Sequence, residues 1–200
     1  MMDGRLSRIM PRTYEFIKGE AVDCIVRHDM QYPLNARLLA SRMGLSVCSY
    51  GSLVQEQYDA ARELSDDGFY LEDVGTKPRI YVDETKRPVR QTWTLLHEIG
   101  HVKLDHVSSL GLSREDKEKE ANFFAKYIAA PPPLFLLLPS ITQENVRRAF
   151  RISRQFSEYA IAYFGKWRDQ FHGIYKNYEI SLLSHCQASF VRFLRCEGIS

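Results

Sequence analysis

The chain has 200 residues, 44% of them hydrophobic and 26% charged, with a formal net charge of +2. Such proportions fit a globular protein with a core large enough to need no staples, and they exclude a low-complexity chain and a strongly electrostatic partner. The longest apolar run, Pro131 to Pro139, is too short for the roughly 20 residues that cross a bilayer and is broken by prolines.

Met1 to Met10 carries Arg5 and Arg8 with no apolar core behind them, so a secretory signal is not expected. Cys24, Cys48, Cys186 and Cys196 form no Cys-x-x-Cys pair. A cytoplasmic location with unpaired thiols packed as small hydrophobes is the expectation.

Thr13 to His28 reads as a helix, with Phe16, Ile17, Val22, Ile25 and Val26 able to share a broad apolar face. After Pro33, Leu34 to Met43 reads as a second helix that Gly44 ends. Leu45, Val47 and Tyr50 alternate as in a short strand, whereas Val54 to Leu64 fits helix or loop. Phe69 to Val74 and Arg79 to Asp83 read as strands of a hairpin around a Gly75 to Pro78 turn, the second offering an exposed edge to an extended substrate. A long helix is expected from Arg90 to His106, and another opens at Ser113, with Asp116 as its box partner, and ends at Pro131. Thr142 to Gln155 and Ser157 to Gln170 read as two more helices, with Ser153 in the break of a helix-turn-helix-like pattern. The last thirty residues give mixed signals and no assignment. The expected division is a core over 1–138, a helical part over 139–170 and a tail over 171–200.

The chemistry centres on His97-Glu98-Ile99-Gly100-His101. Residues four apart share a helix face, so both imidazoles can reach one ion, and Glu98 stands beside it as a general base without being a ligand. Leu95, Ile99 and Val102 form an apolar stripe on another face, and Gly100 offers room for a close neighbour. A catalytic zinc needs a third protein ligand. His106 misses the spacing of a third-histidine pattern, which falls at Val107, and Asp105 fits either a ligand or a group that orients an imidazole. On the next helix Glu118 and Glu120 lie about 200° apart, so only one can face the site. Glu120 shares the side of Phe124, Tyr127 and Ile128, where a buried carboxylate needs a cation. The expected metal ligands are therefore His97, His101 and Glu120, with Glu98 catalytic. Tyr127, Tyr163 and His172 are candidates for stabilising an oxyanion.

The strand Arg79 to Asp83, the run Thr94 to His101, the run Glu120-Ala121-Asn122-Phe123-Phe124-Ala125 and Pro131 together resemble the ImmA/IrrE-type metallopeptidases, over roughly residues 12 to 165. The resemblance implies a helix-rich α+β, zincin-like core with a short sheet, a Zn2+ cofactor on His97, His101 and Glu120, and Glu98 as catalytic base. It also implies a site-specific endopeptidase whose partner and substrate is a cognate helix-turn-helix repressor, with release of mobile-element or stress-response genes. Ala129-Ala130-Pro131 departs from the family's Met-Pro junction, and the tail from Phe171 matches nothing in it. Two further readings are a zinc-containing module that sequesters a protein partner without cutting it, and direct DNA binding. The second draws on the six basic residues between Val146 and Asp169: Arg147, Arg148, Arg151, Arg154, Lys166 and Arg168.

Overall fold

The computed structural model describes residues 12–72, 77–109 and 111–199. The N-terminal ten residues, the end of the expected strand at 73–74 and the first half of the Gly75 to Pro78 turn lie outside them. In chain order the elements are α1 (Tyr14–Arg27), α2 (Ala36–Arg42), β1 (Ser46–Ser49), α3 (Gln55–Leu64), β2 (Gly68–Leu71), β3 (Arg79–Val82), α4 (Pro88–Lys103), α5 (Arg114–Ala129), α6 (Pro132–Phe135), α7 (Gln143–Phe150), α8 (Arg154–Gln170) and α9 (Asn177–Cys196). This is a helix-rich α+β fold with a three-stranded sheet.

The sheet order is β1-β3-β2, with β1 parallel and β2 antiparallel to β3. The hairpin expected from the sequence is present. Its second strand, however, is the central one, because Ser46 to Ser49 pairs along it in register with Arg79 to Val82. The expected edge at Arg79 to Asp83 is thus covered on both sides, and β2 carries the edge nearer α4. Ile80 and Val82 are fully buried in the main core, while Tyr81 faces a smaller cluster with Tyr50 and Ala61.

Capping chemistry fixes several helix starts. Thr13, Asn35, Ser113, Thr142 and Ser153 each accept a bond from a backbone N–H in the first turn. α4 begins with Pro88 at its first position and stops at Lys103, where Asp105 turns left-handed at φ 49°. The break after α7 is made the same way by Arg151, at φ 52°. One buried cluster runs from Ile17 in α1 to Leu194 and Ile199 at the end of the chain. α9, unassigned in the sequence, buries Leu182, Cys186, Phe190 and Leu194 at four-residue spacing and packs on α1 and α6. All four cysteines are free; Cys24 and Cys186 are buried, and Cys196 is exposed. Among the described residues no helix is long and apolar enough to cross a membrane.

Candidate metal centre

α4 and α5 carry the site, and two glycines set how closely the surrounding elements approach. A Cβ on Gly100 would stand 3.1 Å from the Phe124 ring and 3.2 Å from the Ala121 carbonyl oxygen, so the bare backbone there lets α5 lie directly on α4. At Gly68 a Cβ would meet the Tyr81 carbonyl oxygen at 2.5 Å and the Thr94 methyl at 2.6 Å, which holds β2 against the same helix.

The outcome is a set of donors around one point. His97 Nε2 and His101 Nε2 are 3.0 Å apart. Glu118 places Oε2 3.2 Å from the first and Oε1 3.5 Å from the second. One ligand atom from each of the three residues lies within 4.8 Å of the others. Both imidazoles are 16% exposed and Glu118 is 46% exposed, so the set is anchored on the helix side and open on the other. Burial lowers the pKa of His97, with Glu118 opposing. Burial, His97, His106 and Lys117 bring His101 down to about 3. Neutral rings present lone pairs, the form in which imidazole binds a metal.

Glu98 projects beside this set. Its Oε2 accepts the backbone N–H of Tyr70 on β2 at 3.0 Å. Burial, with Glu118 adding to it and the Tyr70 N–H opposing, pushes its carboxyl up to about 8. A cavity of about 580 Å³ opens over these groups, walled by Phe69 and Tyr70 of β2, Trp93 of α4, and Lys117 and Asn122 of α5.

A comparison with protein families matches residues 52–162, more than half of the chain, to the IrrE N-terminal-like domain, Peptidase_M78. This chain belongs to the Peptidase_M78 family. No curated protein and no solved structure matches it. The metallopeptidase chemistry that the family suggests falls on the donors just described.

For a Peptidase_M78 site the residues present fit a metal. Two donors each about 2.0–2.1 Å from a tetrahedral ion stand about 3.3–3.4 Å apart. The two imidazole nitrogens at 3.0 Å, and the nearest Glu118 oxygen to each of them at 3.2 and 3.5 Å, lie close to that value. Two imidazoles and a carboxylate are also a donor set suited to zinc.

The third member differs from the expectation. Glu120 is buried on the far side of α5, where its carboxylate accepts from the Arg12 backbone N–H at 2.6 Å, from Arg12 Nη1 at 2.8 Å and from His106 Nε2 at 3.0 Å. The cation that a buried carboxylate demands is a guanidinium, and Glu118 takes the place facing the histidines. Asp105 is exposed in the turn after α4 and stands outside the donor set. Among the described residues none of the three oxyanion candidates lines the cavity: Tyr127 is buried with no described partner for its hydroxyl, Tyr163 stacks on Tyr159, and His172 is exposed. The sequence offered one signal for Glu118, since it shares a helix face with Asn122 four residues on, which also lines the cavity.

Proposed function

We propose that the protein is a zinc-dependent endopeptidase, with His97, His101 and Glu118 as metal ligands and Glu98 as general base. The convergence of three ligand atoms within 4.8 Å, in an open cavity beside the buried Glu98 carboxyl, carries the reading. Zinc held by His97, His101 and Glu118 would supply a Lewis acid for the scissile carbonyl and would make a water nucleophilic near neutral pH. The Tyr70 N–H holds Glu98 in one orientation. A cation held beside Glu98 would favour its carboxylate form, and from that orientation Glu98 would take the proton of the attacking water and hand it to the departing amine. β2 borders the cavity with its outer edge, which has no strand neighbour among the described residues and can pair with an extended substrate. The zincin-like description of this core and a cytoplasmic location belong to the same proposal.

The substrate we propose is a cognate helix-turn-helix repressor, on the strength of the family likeness. The test is incubation of the zinc-loaded protein with the repressor encoded beside its gene. A single cut is expected, lost in Glu98→Gln while zinc stays bound; cleavage by Glu98→Gln rejects the assignment of the base. Zinc-loaded protein that binds the repressor without cutting it supports the sequestering module instead. For the DNA-binding alternative, four of the six basic residues around α7 and α8 have a carboxylate or carbonyl neighbour within the chain. Arg147 pairs with Glu144, Arg148 donates to the Glu197 carbonyl, Arg151 lies 3.8 Å from the Glu197 carboxylate, and Arg154 lies 3.9 Å from Glu158.

A further inference from the structure

Behind the metal-facing donors lies a second row of groups that the proposed hydrolysis does not use. His106 Nδ1 is 2.9 Å from His101 Nδ1, the nitrogen of that ring turned away from His97 and Glu118. On its other side His106 Nε2 meets Glu120 Oε2 at 3.0 Å, and Arg12 grips both oxygens of that carboxylate. His106 is 2% exposed and Glu120 4%, so neither has water to substitute for these partners. The turn after α4 delivers His106 to this position: the His106 backbone N–H donates to the His101 carbonyl at 3.0 Å, and Lys117 Nζ donates to the His106 carbonyl at 2.5 Å.

Proton counting along the row gives it a direction. A Glu120 carboxylate paired with a guanidinium that never loses its charge can only accept. A neutral His106 therefore carries its proton on Nε2 and leaves Nδ1 as an acceptor. His101 must then carry its proton on Nδ1, which leaves Nε2 bare toward His97 and Glu118. We propose that Arg12, Glu120 and His106 form a positioning relay that fixes the ring and tautomer of His101 for metal binding. The proposal rests on the metal site above. It explains why two ionisable side chains are buried behind the proposed ligands: orienting groups behind a ligand hold its ring and raise its basicity.

The experiment is titration of the full-length protein with Zn2+ against a competing chelator, together with 15N NMR of the imidazoles in the metal-free protein. Expected is a fall in zinc affinity of about 10–100-fold in His106→Leu. His106→Asn, whose side-chain carbonyl stands near the Nδ1 position and still accepts from His101, recovers most of the loss. The spectrum should show the Nδ1–H tautomer at His101 and the Nε2–H tautomer at His106. Zinc affinity within twofold of the unaltered protein in His106→Leu, or an Nε2–H tautomer at His101, overturns the relay. Should His106→Leu fail to fold, Glu120→Gln keeps the shape and removes the charge; weakened zinc binding supports the relay and unchanged binding overturns it. His101→Ala tells the two levels apart. Zinc binding that survives it removes the metal site and the relay together, whereas binding lost there but intact in His106→Leu removes the relay alone.

Discussion

Two glutamates separated by one residue occupy opposite sides of α5, and their fates show what side-chain chemistry alone can settle. The wheel argument that only one of Glu118 and Glu120 faces the histidines holds, and so does the placement of Glu120 on the buried side. The step that fails is the inference from burial to metal. A buried carboxylate requires a positive or hydrogen-bonding partner of any kind, and Arg12, more than a hundred residues away in sequence, supplies it with His106. The proposed third ligand, Glu118, is by contrast 46% exposed, so it reads as a surface residue in the sequence. Its replacement is informative for that reason. Glu118→Gln should leave the thermal midpoint of the metal-free protein within the roughly 0.5 kcal/mol of an ordinary surface change. Its loss of zinc affinity should exceed the 10–100-fold that supporting residues command; a calorimetric zinc titration beside a melting curve checks both.

The contact of α4 with α5 depends on Gly100 lacking a side chain, and the close neighbour that the sequence invited there proves to be Ala121 and Phe124. Gly100→Val should force the helices apart, costing about 1–3 kcal/mol as overpacking does and lowering zinc affinity by moving Glu118. Denaturant melts and a zinc titration report the two effects separately. α4 is tied to α1 as well, through Lys103, which lies 2.6 Å from Asp23 and 3.0 Å from Glu20. Burial raises the Asp23 carboxyl, but Lys103 and Arg27 outweigh it and hold the pKa below its ordinary value. A depressed carboxylate adds stability above the unfolded value of about 3.9, and that stability fades as the pH falls through the folded value. The pair is partly exposed, so the unaltered protein should melt only roughly 1–3 °C above Lys103→Met at pH 6. The gap should close below about pH 4, as thermal melts across that range would show.

Across the whole molecule, the helices with strong caps and the hairpin strands were legible in the sequence because their signals are local. Much of what stayed hidden depends on distant partners. The pairing of β1 turned β3 from an edge into the centre. α9 escapes assignment from the sequence although Leu182, Cys186, Phe190 and Leu194 recur every four residues, because polar neighbours such as Ser184, His185 and Gln187 dilute the local signal between them. At the other end Phe16 and Val26 of α1, expected inside, are 48% and 38% exposed, since Ala21 and Cys24 take the buried face. The family match and the folding unit therefore have different limits. Residues 52–162 leave out α1, β1, Arg12 and all of α9, whose Phe190 packs on Tyr32 and Phe150. A chain trimmed to those limits should lack a cooperative melt and bind zinc weakly, while residues 12–199 should retain both; circular dichroism on the two decides it. The stretch diagnostic of ancestry is thus shorter than the apolar interior it shares with α1 and α9, and a minimal unit is better cut along that interior.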